Sequence, residues 1–169
     1  MLRNLAVFSV AVSLTLCPVW AQSKGQSKLK NCAVSHFSQG EGVELSPEFA
    51  EFLYAEMRTA LQKSKLFEQI IGEGEAVDRA DAAQSIGITG NILEYKKGNV
   101  AKAVIIGFGM GRRSMKSHMK IVRLGDNQVL LDDDLVVKTD PRFDEKMLAK
   151  NLAKKISDRV KKEIPSMMK

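Results

Sequence analysis

The chain has 169 residues, with 26 Lys and Arg against 20 Asp and Glu, 44% hydrophobic and 27% charged. That length is the length of one domain, and the composition excludes a largely disordered chain. Two Cys and two His exclude a disulfide scaffold and argue against a four-ligand zinc site, and the surplus of six positive charges is modest.

Residues 1–21 read as a secretory signal peptide. Arg3 supplies the positive charge, Leu5 to Cys17 form an uncharged apolar run, Pro18 breaks it, and Val19-Trp20-Ala21 offers small residues for cleavage after Ala21. The run is too short to cross roughly 30 Å of hydrocarbon as a helix. Lipoprotein cleavage before Cys17 is disfavoured because Leu16, not a small residue, precedes it. Cleavage removes Arg3 and no acid, so the surplus falls from six to five, and it leaves Cys32 as the only thiol. An internal disulfide is then excluded, and Cys32 is either buried or paired with another chain.

Gln22 to Lys28 holds only Gln, Ser, Lys and Gly, a flexible tether. One domain is expected over 29–164, with a short tail at 165–169. Leu29 to Phe37 reads as a first strand, with Cys32, Val34 and His36 alternating against Ala33 and Phe37. Ser46-Pro47-Glu48 starts a helix with a hydroxyl cap, a proline in the first turn and an acid at the positive end of the dipole. Phe49, Phe52, Leu53, Met57, Ala60 and Leu61 carry its apolar stripe to about Ser64.

Leu66 to Ile71 is a short strand, expected parallel to the first through the helical crossover. Residues 75–83 are acidic and Ala-rich and suit one helical turn. Ser85 to Lys96 is the clearest strand, with Ile86, Ile88 and Ile92 on one face and a bulge or close backbone approach at Gly90-Asn91. Met115 to Leu124 alternates Met115, Met119 and Ile121 against Lys116, His118 and Lys120. Gly125-Asp126-Asn127 turns the chain into a hairpin with Gln128 to Val137. From Phe143 a second helix carries Leu148, Leu152, Ile156, Val160 and Ile164 on one stripe, with lysines around the rest. The economical architecture is α+β: a single mixed or antiparallel sheet of about five strands, with two amphipathic helices packed on one face.

Nothing in the chain assembles a catalytic constellation. Gly107-Phe108-Gly109-Met110-Gly111 lacks phosphate-loop spacing, and a strand follows it instead of a helix N-terminus. With Val104-Ile105-Ile106 before it and Arg112-Arg113 after it, this loop is apolar for an exposed one; it either packs over the end of the sheet or is the candidate partner-binding segment. His36 and His118 have no metal partners at ligand spacing, and Lys116 and Lys120 beside His118 repel a cation. Of Asp132-Asp133-Asp134 only the first and third share a strand face, which reads as a solvated edge; a polymer-hydrolysing pair is the third and weakest function reading. No cofactor or metal is expected. The basic groups at Arg112-Arg113 and along the last helix lack interleaved aromatics for base stacking, so an anionic envelope surface is favoured over nucleic acid.

Ile88-Thr89-Gly90-Asn91-Ile92, the turn Lys96-Lys97-Gly98-Asn99, and Ile106-Gly107-Phe108-Gly109-Met110-Gly111-Arg112, followed by a hairpin and a basic helix, resemble the bacterial family catalogued as domain of unknown function 4410. Leu61-x4-Leu66-Phe67 and Ala80-Asp81 are similar to its upstream run. The resemblance covers Leu29 to Ile164. It implies an exported or lipid-anchored envelope protein of α+β fold, akin to small periplasmic accessory domains, with no established enzyme activity and no catalytic residues to carry over. The chain departs from the family at the hairpin turn, where Gly125-Asp126-Asn127-Gln128 replaces Asp, two residues and Thr-Gly. The function expected is a non-catalytic exported domain that binds another envelope component; the alternative is a peripheral membrane-surface module using its basic residues.

Overall fold

The structure, a computed structural model, describes residues 29–98 and 111–168. The signal peptide and tether expected over 1–28 lie outside the described residues. Six strands form one mixed sheet: β1 (Leu29–Val34), β2 (Ser38–Gln39), β3 (Phe67–Ile71), β4 (Ile86–Lys96), β5 (Arg113–Arg123) and β6 (Val129–Thr139). The order is β3-β1-β4-β5-β6, with β2 pairing β4 off this path. β1 is parallel to both β3 and β4, and β4-β5-β6 is an antiparallel meander. Helices α1 (Pro47–Ser64) and α2 (Lys146–Met167) complete the α+β fold.

Helix α1 follows its sequence signals. Ser46 Oγ accepts the Phe49 N–H at 3.2 Å, Pro47 opens the helix, and Lys65 closes it in the left-handed region. Its buried stripe is Phe49, Leu53, Met57 and Leu61. That stripe and Leu148, Leu152, Ile156 and Val160 of α2 meet Cys32, Ile86, Ile88, Ile92, Met115, Met119 and Ile121 from the sheet in one core. Full burial of each large side chain contributes about 1.5–3 kcal/mol. Cys32 is fully buried, and burial pushes its thiol well above its ordinary value.

The two helices run in the same direction. Phe52 of α1 lies beside Lys146 and Lys150 of α2, and a helical length further on the Ser157 hydroxyl donates to Ala60 O at 3.0 Å. Arg123 closes the far end, its guanidinium donating to Met167 O at 2.9 Å among the last carbonyls of α2. The helix therefore continues through Met167, past the start of the expected tail.

Several local expectations change. β1 stops at Val34, because His36 is drawn out of the strand by Glu73, whose carboxylate accepts its backbone N–H at 2.9 Å. Residues 75–83 contribute only the start of a short 3-10 turn, Ala82–Gln84. Gly90 is a close approach and not a bulge: a Cβ there would lie 2.4 Å from the Phe37 ring and 2.7 Å from His118 O. The bulge of β4 falls later, between Ile92 and Glu94. At the hairpin, Asn127 takes the left-handed conformation and Asp126 accepts the Gln128 N–H, so an Asx turn serves where the family pattern differs.

Candidate functional site

The C-terminal end of β4, the start of β5 and the N-termini of both helices share one end of the molecule. Phe49 packs near Tyr95 with ring centroids 6.0 Å apart, and Tyr95 Oη donates to Glu145 at 2.9 Å. Burial first, and Glu145 second, push the Tyr95 hydroxyl up to about 12. The candidate loop joins β4 to β5 here. Gly107, Phe108, Gly109 and Met110 lie outside the described residues; Gly111, Arg112 and Arg113 are described.

The base of that connection is a narrow neck. Gly98 and Gly111 both have positive φ, and a Cβ on Gly98 would lie 2.8 Å from Gly111 O and 2.9 Å from Arg113 N. Arg113 fastens the neck: its Nε donates to Lys97 O at 2.9 Å and its Nη1 to Phe143 O at 2.8 Å. Arg113 is thus a brace between two segments, and Arg112 beside it is exposed. Phe143, 57% exposed, sits next to this brace before α2 begins. Lys96 pairs with Glu94 at 2.7 Å and Arg142 with Asp140 at 2.7 Å, and Arg142 holds the Asp140 carboxyl down at about 2. Arg112 and Lys97 form no ion pair among the described residues.

A second cluster surrounds His36. Its ring stacks on Tyr54 at 3.9 Å, Nδ1 meets Glu73 at 2.6 Å, and Nε2 lies 3.2 Å from Glu51 as an ion-pair contact without hydrogen-bond alignment. Glu73 chiefly, and then Glu51, raise the His36 imidazolium above its ordinary value against the opposing effect of burial.

A third cluster arises on the solvent face of the sheet. The β5–β6 register sets His118 opposite Asp134, so Nδ1 lies 2.9 Å from Asp134 and Nε2 3.0 Å from Asp132. Lys116 also reaches Asp134, at 2.8 Å. Asp133 turns to the other face and holds Arg159 of α2. Separate pairing of the two imidazole nitrogens keeps the carboxylates from converging as metal ligands, and among the described residues no group of three or more His, Cys, Asp or Glu is placed to hold a metal ion. Asp134 is engaged by Lys116 as well as His118, and Asp132 by His118, all on an open sheet face.

The lysines of α2 divide by side. Lys155 donates to Val136 O and Arg159 binds Asp133 on the β6 side. On the other side Lys150, Lys154 and Lys161, with Lys63 of α1, border an open cleft of about 350 Å³ floored by Ala60, Ala153 and Ser157. Only Lys154 has an acidic partner there, Asp158 at 2.6 Å. No helix among the described residues is long and apolar enough to cross a membrane.

A family model described as "Domain of unknown function (DUF4410)" matches residues 35–130, more than half of the chain. No curated protein matches the sequence. Solved structures share the fold at low identity. A PelC dodecamer from Paraburkholderia phytofirmans is 14% identical with a TM-score of 0.54, covering 75% of this chain and 85% of that one. Protein XCC0632 from Xanthomonas campestris is 8% identical with a TM-score of 0.55, covering 83% and 88%. The hypothetical protein CT253 from Chlamydia trachomatis is 12% identical with a TM-score of 0.54, covering 80% and 97%.

Proposed function

This chain belongs to the family described as Domain of unknown function (DUF4410), and from that premise we propose that it is a non-catalytic exported domain that binds or assists another component of the cell envelope. Export rests on the signal-peptide pattern of residues 1–21. The observation that carries the binding reading is the neck at Gly98 and Gly111, braced by Arg113. It anchors a connection whose sequence holds Val104-Ile105-Ile106, Phe108 and Met110, and it does so beside exposed Phe143 and unpaired Arg112. An apolar stretch followed in sequence by two arginines, and entered through a braced neck, suits contact with a partner. The test is crosslinking of the mature domain in native envelope extracts, compared with a Phe108→Ser, Met110→Ser variant. Wild type is expected to capture a partner that the variant loses; identical partner sets overturn the loop's role.

A second reading is favoured by the unpaired lysines. Lys63, Lys150 and Lys161 make no ion pair among the described residues and border one cleft, as a peripheral membrane-surface module would require. Co-sedimentation with vesicles containing anionic lipid, across a salt series, decides it. Binding must weaken as the Debye length falls from about 10 Å at 0.1 M salt toward 3 Å at 1 M, and binding indifferent to salt overturns it.

A further inference from the structure

β3 is an edge strand that pairs with β1 alone among the described residues. In a parallel ladder each residue turns its N–H and C=O to the same side. The Leu29 N–H donates to Leu66 O at 2.9 Å, and the register sets Leu29 opposite Phe67 and Asn31 opposite Gln69. Glu68 and Ile70 therefore face β1, and Phe67, Gln69 and Ile71 turn their backbone groups to the open edge. None of those outward groups has a backbone partner among the described residues. The edge also lacks the usual protections: no proline lies in β3, and its one charge, Glu68, is paired with Lys30 at 3.0 Å.

Alongside this edge lies a cleft of about 430 Å³ between α1 and β3, lined by Arg58, Thr59, Gln62, Glu68, Gln69 and Ile70. Arg58 is half-buried, its guanidinium carbon 5.6 Å from the centroid of Tyr54, which is itself stacked on His36. It makes no hydrogen bond or ion pair with any described residue. A planar, permanently charged fork, held in place by an aromatic ring and left with its donors free, matches a carboxylate. A lone phosphate would satisfy Arg58 and leave the strand edge unused. An extended chain uses both.

We propose that the open edge of β3 receives an extended peptide segment of a partner protein, added to the sheet through the backbone groups of Phe67, Gln69 and Ile71, with an acidic side chain of that segment held by Arg58. Main-chain pairing supplies affinity, and the arginine supplies selection for acidic sequence. The surface uses no residue of the Gly107–Arg113 segment, so the two readings succeed or fail independently.

The probes are two fluorescein-labelled heptapeptides, one alternating Val with Glu and one alternating Val with Lys, titrated by anisotropy. The Glu peptide is expected to bind and the Lys peptide not to. Arg58→Ala and Gln69→Pro are each expected to weaken binding roughly tenfold or more. Proline at 69 removes an N–H that the native ladder does not use, so the melting temperature should hold. Should that variant fold poorly, amide exchange of the wild-type protein gives the same reading: the Glu peptide must slow the amides of Phe67, Gln69 and Ile71. Equal binding of both peptides, binding of neither, or protection elsewhere overturns the proposal. So does protection of those amides without peptide in a self-associated chain, which assigns the edge to a second copy. The Phe108→Ser, Met110→Ser variant must bind the Glu peptide as wild type does.

Discussion

His36 lies flat on Tyr54, ring centroids 3.9 Å apart and planes 19° from parallel, and Arg58 continues the stack on α1. The ring contact ties the segment after β1 to α1, and Glu73, whose backbone N–H donates to Tyr54 Oη at 3.0 Å, ties both to the end of β3. Three elements that the chain order separates are fastened at one point.

This clasp carries a pH dependence with a definite sign. A histidine whose folded value is raised, as Glu73 raises His36, contributes stability fully below its unfolded value of about 6.5 and loses it as pH rises through the folded value. Glu73, held low chiefly by the His36 backbone N–H, contributes above its ordinary 4.5 and loses it as pH falls through its lowered value. The stability difference between wild type and His36→Gln should therefore be greatest near about pH 5.5 and shrink toward about pH 8.5. Both groups are open to solvent, so screening keeps the difference small. Melting curves at the two pH values check this, and a difference that does not change counts against the pairing.

Arg112 and Arg113 are neighbours with different work. Arg113→Met keeps the side-chain length and removes the donors to Lys97 O and Phe143 O, which should cost about 1–3 kcal/mol in urea unfolding. Arg112→Met should stay within about 0.5 kcal/mol of wild type, since that side chain is exposed. Equal effects from the two substitutions would show that the brace does not hold the neck.

Gly90 tolerates no side chain. With the Phe37 ring at 2.4 Å and His118 O at 2.7 Å from a built Cβ, Gly90→Ala should destabilise by about 1–3 kcal/mol. Chemical denaturation measures the loss, and adding Phe37→Leu should restore part of it. No restoration would place the conflict on the His118 carbonyl alone.

Cys32 should be unreactive in the folded protein. Its thiol is fully buried and raised by burial, so a thiol reagent reaches it only when the chain opens. Labelling should be complete in denaturant and slow in native buffer, in step with the opening equilibrium. Prompt labelling of the native protein would contradict the burial.

Much of the fold was legible locally. The Ser46-Pro47 start and apolar stripe of α1 name its limits, because capping and 3.6-residue periodicity are written in adjacent residues. Alternation in β5 separates buried Met115, Met119 and Ile121 from Lys116, His118 and Lys120 for the same reason. The ends of elements were less legible. β1 stops short because a carboxylate from residue 73 competes for the backbone of residue 36, a contact across 37 positions.

By itself the sequence determined the α+β class, the two helices and the greasy face of each strand. Those follow from short-range patterns that bury one face. Only the tertiary structure decided what the charged residues do. It joined His118 to Asp132 and Asp134 through strand register, committed Arg113 to a brace and left Arg112 exposed. It also set Arg58, unpaired, beside the open edge of β3. A charge takes its role from neighbours that folding brings from elsewhere in the chain, and no local pattern records that distance.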